Sequence, residues 1–280
     1  MNALELINFG SKVLKKNSVL THKLDSEILL SKVLGKNRER VLIDLNKKIS
    51  PLDISKFYDL INRRSKKEPI AYILGVKEFW SKNFLIGKNS LIPRPETELL
   101  VEKLSKIYKN NSINLIDIGT GSGCIIISLL SELNHSRGLG IDISKHSILI
   151  AKKNAAKHEV DNRAKFLQTS FKNIFNKKFD LVISNPPYIR RGDIKNLQDD
   201  IKYFEPKLAL DGGIDGLDVI KKVIYKAKEI LKINGALAIE IGNKQYAKVS
   251  EILIDNNFRL EHKIKDFKDN IRCIISRYKN

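Results

Sequence analysis

From residue 113 onward the chain alternates in character, and that alternation leaves few folds open. Five short apolar, β-prone runs (INLIDIG, RGLGIDI, AKFLQTS, FDLVISN and GALAIEI) are separated by helical stretches around 123–133, 145–158, 216–232 and 244–256. Apolar strands interleaved with helices make a parallel sheet covered on both faces. The alternation then stops: FRLEHKIKDF and NIRCIISRY follow one another without a helix, which predicts an antiparallel terminal hairpin. The expected fold class is α/β, a doubly wound, mostly parallel seven-stranded sheet with an antiparallel C-terminal hairpin.

The N-terminal part reads differently. Leu4, Ile7, Val13 and Leu14 approximate one helical face, Asp25-Ser26-Glu27 opens a second helix that stops at Gly35, and Ser50-Pro51 caps a third. Residues 68–95 turn aromatic and β-prone, punctuated by Gly75, Gly87, Pro93 and Pro95. The expected layout is a helical domain over 1–67, a β-hairpin linker over 68–95, and the sheet domain over 96–280, opening with a helix from Glu96 to Tyr108.

With 280 residues, 42% of them hydrophobic, the chain can bury a sizeable core. Cys124 and Cys273 are the only two cysteines, which excludes a disulfide scaffold and a four-thiolate zinc site. The five histidines show no ligand spacing, so no metal is expected. No apolar run of about 18 residues occurs, and the N-terminus lacks the parts of a signal peptide; a cytoplasmic setting without membrane contact is expected. The formal charge is +19, from 51 basic and 32 acidic residues. It reads either as a field for an acidic partner such as nucleic acid or as the solvated surface of a lysine-rich composition, since the basic residues are scattered.

Two motifs carry chemistry. Asp117-Ile118-Gly119-Thr120-Gly121-Ser122-Gly123 follows the first strand and opens a helix. By itself such a loop is either a ligand cradle or a tight turn. The second strand ends in Asp142, an acid placed to accept both hydroxyls of a ribose. The G-x-G-x-G spacing is neither the dinucleotide pattern nor a P-loop, which favours a nucleoside without a pyrophosphate; S-adenosyl-L-methionine is the common one. Asp117 either anchors the loop, faces the amino-acid end of that cofactor, or simply ends a strand. Cys124 reads as a small buried residue rather than a nucleophile.

The fourth strand runs into Asn185-Pro186-Pro187-Tyr188, the most specific sequence in the chain. Two prolines fix φ twice and restrict the residue before them, giving a rigid platform at the carboxyl edge of the sheet. A planar –NH₂ beside a π-system is a poor nucleophile and needs acceptors for both hydrogens. The Asn185 side-chain carbonyl and the Pro186 backbone carbonyl can supply them, with Tyr188 as an aromatic wall. Catalytic roles are therefore expected for Asn185, Pro186 and Tyr188, with Pro187 completing the acceptor site.

Together these residues resemble the N5-glutamine methyltransferases of peptide-chain release factors, over nearly the whole chain. Beyond the tetrapeptide, the similarity includes Glu68-Pro69, Tyr72, Gly75, Glu78-Phe79-Trp80 and Leu91–Glu98. It continues through Glu205-Pro206, Ala209–Gly213, Asp215–Leu217, Glu240–Gly242 and Gln245. The resemblance implies S-adenosyl-L-methionine as methyl donor, held at Gly119, Thr120, Gly121, Ser122, Gly123, Asp142, Phe171 and Asn185. It implies as acceptor the glutamine of the Gly-Gly-Gln motif of class I release factors, with the N-terminal helices docking that protein. A monomer with no stable nucleic-acid complex is expected. Phe171 departs from the family, which often has Trp there, and the segment Asp266–Arg272 lacks an expected glycine. Arg94 and Glu96 either close over the cofactor and glutamine or pin the domain junction. The alternative is an N-methyltransferase acting on an exocyclic amino group of a nucleic-acid base, splayed against Tyr188; no large recognition insertion or dense basic-aromatic track supports it. A catalytically silent binding module would require loss of one of the two motifs, and both are intact.

Overall fold

The computed structural model describes residues 1–175 and 178–279. They form two compact units, one comprising Met1–Val76 with Gln198–Phe204, the other comprising the remainder.

The first unit is helical: α1 (Ala3–Lys16), α2 (His22–Leu34), α3 (Arg38–Ile43), α4 (Pro51–Ser65) and α5 (Ile70–Leu74). Asn2 starts α1 through a capping box, its Oδ1 accepting from Glu5 N while Glu5 Oε2 accepts from Asn2 N, both at 2.9 Å. The buried face of α1 is Ala3, Leu6, Ile7, Gly10 and Leu14, and Leu4 lies outside it. Helix α2 begins at His22, three residues ahead of the expected opening, because Asp25 and Glu27 are not first-turn surface acids. Both are buried and paired, Asp25 with Arg64 at 2.7 Å and Glu27 with Arg38 at 2.6 Å. Gly35 ends α2 in the left-handed region at φ +60°. Ser50 and Pro51 open α4 as expected, with Ser50 Oγ accepting from Asp53 N. The short α3 was not anticipated; Asn37 stands at its N-cap without a side-chain cap bond.

In 68–95 the β-structure is narrower than expected: α5 occupies Ile70–Leu74, and the hairpin is β1 (Val76–Phe79) and β2 (Lys82–Leu85). None of the glycines forms its turn. Trp80 and Ser81 do, at φ +52° and +54°, the pair of left-handed residues a two-residue hairpin loop demands. A side chain there costs roughly 1 kcal/mol relative to glycine. Ser81→Gly is therefore expected to raise stability by about 1 kcal/mol in denaturant unfolding, and an unchanged or lowered midpoint would contradict the strain.

After α6 (Pro95–Tyr108) come β3 (Asn114–Ile118), α7 (Cys124–Glu132), β4 (Arg137–Asp142), α8 (Lys145–Lys157), β5 (Ala164–Gln168) and β6 (Phe179–Ser184). Helix α9 (Asp199–Phe204), which groups with the first unit, precedes α10 (Asp218–Ile230), β7 (Leu231–Glu240), α11 (Tyr246–Asp255), β8 (Phe258–Lys265) and β9 (Ile271–Tyr278). The seven strands lie in the order β5-β4-β3-β6-β7-β9-β8, parallel except for β9, which runs antiparallel to both neighbours. This is the doubly wound sheet with a terminal hairpin that the pattern predicts.

Alternate strand residues serve opposite faces. Leu115, Leu181, Ile183, Ala236 and Ala238 pack with Leu100, Leu104, Ile126, Leu130 and Ile148 of α6, α7 and α8. Ile116, Val182, Leu237 and Ile239 pack with Ile220, Ile224, Val249 and Leu253 of α10 and α11. Both cysteines are buried, and burial pushes the Cys124 thiol up to about 12, so it is an inert filler. In the β8–β9 turn Asp269 takes φ +63° without a glycine. Asp266 holds the turn by accepting from Lys268 N and Asn270 N and pairing with Arg272 at 2.8 Å.

Candidate active site

Strand order fixes where a site can form. From β3 the chain winds outward through β4 to β5, then returns to β6 on the other side of β3. In an open sheet wound this way a ligand binds at the carboxyl ends of the strands where the winding reverses, here β3 and β6. Register places the strand ends level: Ile118 pairs with both Ile141 and Ser184, Asp142 with Gln168, and Ser184 with Ile239. The residues at or just beyond each end, Gly119, Asp142, Phe171, Asn185 and Glu240, thus share one edge of the sheet. Ser184 Oγ donates to Ile118 O at 2.8 Å, tying the glycine loop's strand to the tetrapeptide's.

The loop after β3 has Gly119, Gly121 and Gly123 at φ +76°, +56° and +80°, a zigzag that side chains resist. Gly119 N and Thr120 N both donate to Ile141 O at 2.9 Å, and Gly121 N donates to Asp142 Oδ2 at 3.0 Å. Asp142 Oδ1 accepts from Ser144 N at 2.8 Å. Burial raises the Asp142 carboxyl, and the backbone donors of Ser144 and Gly121 oppose the rise. Asn154 fastens the loop from α8: fully buried, it donates to Ser122 O and Leu85 O at 2.9 Å and accepts from Leu85 N at 2.7 Å. Asn154→Leu strands these backbone groups and is expected to cost about 2–4 kcal/mol. A calorimetric loss under about 1 kcal/mol would show the bonds to be dispensable.

Asp117 is fully buried. Its Oδ2 accepts from Thr120 Oγ1 at 2.7 Å, and its Oδ1 has no partner. Burial lifts this carboxyl to about 7, against the Thr120 hydrogen bond and aided by the charge of Asp142. An orphaned carboxylate oxygen below a glycine cradle is an acceptor left for a donor outside the chain's own network. Phe171 stands in a single 3-10 turn (Phe171–Asn173) beyond β5, partly buried against the core that α10 and α11 cover.

The tetrapeptide is braced on three sides. Tyr188 O accepts from Gln245 Nε2 at 3.0 Å, and Gln245 also donates to Gly216 O and accepts from Gly242 N. Gly212 lies against it: a Cβ there would sit 2.8 Å from Tyr188 Cα and 2.9 Å from Pro187 O. The Tyr188 hydroxyl donates to Glu240 Oε1 at 3.2 Å, while Glu240 Oε2 accepts from Thr97 Oγ1 at 2.6 Å. Burial raises the Glu240 carboxyl; the Thr97 and Tyr188 hydroxyls and the Arg272 charge oppose the rise. Asn185 Nδ2 donates to the same Thr97 Oγ1 at 3.3 Å.

Of the residues between Pro93 and Glu98, it is therefore Thr97 that reaches the tetrapeptide. Arg94 pairs with the buried Glu205 at 2.5 Å, and Glu205 also accepts from Ile92 N, fastening the Pro-Arg-Pro segment to Glu205-Pro206. Asn154 gave no signal in the sequence; Thr97, Glu205, Glu240 and Gln245 appeared there only as parts of a family signature. Among the described residues no group of three or more His, Cys, Asp or Glu side chains is placed to hold a metal ion.

A sheet of this order, with a glycine loop after β3 and an aspartate ending the neighbouring β4, defines a class, and residues 109–272 match the methyltransferase domain family. Residues 5–75 match the PrmC N-terminal domain. The chain is 39% identical to a release factor glutamine methyltransferase of Clostridium botulinum, covering 98% of both chains. It is 35% identical to a bifunctional methyltransferase of Rickettsia conorii, covering 97% of this chain but 57% of that protein's length. The fold is shared with a methyltransferase of Pyrococcus furiosus at a TM-score of 0.54 and 15% identity, over 71% of this chain and 89% of that one. The chain belongs to the release factor glutamine methyltransferase family.

Among the described residues no helix is long and apolar enough to cross a membrane.

Proposed function

We propose that the protein transfers a methyl group from S-adenosyl-L-methionine to the side-chain amide nitrogen of the glutamine in the Gly-Gly-Gln motif of class I release factors, in the cytoplasm and as a monomer. The observation that carries this reading is the juxtaposition of Asn185-Pro186-Pro187-Tyr188 with the glycine loop across the β3–β6 switch point. When bound, the cofactor supplies an electrophilic methyl group on a sulfonium sulfur.

The chain's residues fit that cofactor. Gly119 to Gly123 allow close backbone approach, Asp142 accepts from ribose hydroxyls, and Phe171 offers a ring to a base. Asp117 Oδ1 accepts from the cationic amino-acid end. On the acceptor side, Asn185 Oδ1 and Pro186 O each take one amide hydrogen, turning the nitrogen toward the methyl group. Their dipoles stabilise the positive charge that develops on it, and Tyr188 closes the plane. The helical domain over 1–67 and the linker over 68–95 recognise the release factor. No stable nucleic-acid complex is part of this reading. Labelled methyl donor incubated with release factor tests it directly: transfer into the protein substrate is expected, and its absence with a folded, donor-binding enzyme would refute it.

Asp117 gives a pH signature. Its carboxyl ionises near pH 4 in the unfolded chain and near 7 in the folded one. This group's contribution leaves the ligand-free protein most stable below about pH 4, loses stability as pH rises to about 7, and is flat above, with a slope of at most about 1.4 kcal/mol per pH unit. A cation bound beside Oδ1 favours the ionised form, so donor affinity is expected to tighten between about pH 6 and 8. Asp117→Asn should abolish that dependence in calorimetric titrations. Equal pH dependence in both proteins would remove Asp117 from the cofactor site.

A further inference from the structure

Thr97 Oγ1 carries one proton and lies between two partners, the Glu240 carboxylate at 2.6 Å and the Asn185 side-chain amide at 3.3 Å. Thr97 Oγ1 donates that proton to Glu240 Oε2. Thr97 Oγ1 then has only lone pairs to offer, and Asn185 must meet it with Nδ2. The other end of the amide, Oδ1, faces away from Thr97, with no donor bonded to it among the described residues. The second hydroxyl on Glu240, that of Tyr188, occupies Oε1 and leaves Oε2 to Thr97. An asparagine amide is nearly symmetric in shape, and its two orientations differ only by the bonds its neighbours allow.

We propose that Thr97 and Glu240 are positioning residues that set which end of the Asn185 amide faces the acceptor, holding Oδ1 outward. The inference rests on the methyl-transfer reading. It assigns function to a threonine on α6 and a glutamate ending β7, 143 residues apart in the chain, neither of which need touch substrate.

The chemistry makes distinct demands on variants. Thr97→Ser keeps the hydroxyl and should keep the orientation. Thr97→Val keeps the shape but loses the acceptor for Nδ2, releasing the amide to turn. Glu240→Gln is nearly isosteric and changes the direction of the bonds. With its Oε1 accepting from Tyr188, its Nε2 donates to Thr97, whose own proton is then free to be given to Asn185. That bond requires Oδ1 to turn inward, away from the acceptor.

Steady-state kinetics of the full chain, with S-adenosyl-L-methionine and intact release factor, tests this. Thr97→Val and Glu240→Gln are each expected to lower kcat about 10- to 100-fold, the worth of one or two misdirected hydrogen bonds. The donor's dissociation constant should stay within about threefold, and Thr97→Ser should restore kcat to within about threefold of wild type. Wild-type kcat in both Thr97→Val and Glu240→Gln would overturn the proposal, as would a Thr97→Ser loss equal to that of Thr97→Val. Losses confined to donor affinity would also overturn it. Absence of transfer by the wild-type protein would instead defeat the methyl-transfer reading itself, so the two failures are distinct.

Discussion

Replacing Asn185 by Ala is expected to lower kcat for methyl transfer by about 10²–10³-fold while weakening donor binding by no more than about tenfold. The size follows from what is removed. The acceptor nitrogen loses one of two groups that orient it and that stabilise its developing charge, an effect comparable to deleting one preorganised dipole from an oxyanion hole. The platform itself should survive, because losing the Asn185–Thr97 bond leaves the tetrapeptide held through Tyr188 O by Gln245 and through the Tyr188 hydroxyl by Glu240. A single-turnover rate with saturating donor isolates the chemical step. Full turnover in the Ala variant would remove Asn185 from catalysis.

The largest effect on stability is expected in the helical unit. Asp25 and Arg64 are both buried and meet at 2.7 Å, and Arg64 also donates to Glu68 O at 3.1 Å. Asp25→Ala leaves a guanidinium buried without its counter-charge, expected to cost about 3–5 kcal/mol in the unfolding of that unit. Replacing both, Asp25→Leu with Arg64→Leu, should recover most of the loss, since a buried pair and an apolar pair of similar volume are often near parity. Chemical denaturation of the single and double variants decides. A cost under about 1 kcal/mol for Asp25→Ala would mean the pair behaves as an exposed one.

The sheet was legible because its evidence is local and periodic. Strands β3 to β7 are short apolar runs whose alternate residues fill the two cores on either side, and the missing helix between β8 and β9 announced the antiparallel end. The glycine loop, Asp142 and the tetrapeptide were legible because each sits at the end of such a strand, and register then places them on one edge. What stayed hidden depends on partners far away in the chain. Thr97 is 88 residues from Asn185, and Asn154 is 69 from Leu85; no spacing rule connects them. Asp25 looked like a helix-opening acid because its cation lies 39 residues on. No turn residue marked Trp80-Ser81 in the sequence, because bonds from elsewhere in the fold hold Trp80: its indole Nε1 donates to Glu132 and its backbone N to Glu98. The charge of +19 pointed toward nucleic acid more strongly than any motif does, and the motifs outweigh it.

The most direct measurement sets three acceptors side by side: intact release factor, the same factor with the glutamine of its Gly-Gly-Gln motif changed to Ala, and nucleic acid. Each is incubated with the protein and labelled S-adenosyl-L-methionine, and the modified residue is located by peptide mass spectrometry. The expected result is one methyl group on that glutamine, with no label on the Ala variant or the nucleic acid. Label on nucleic acid, or equal label on the Ala variant, would contradict it.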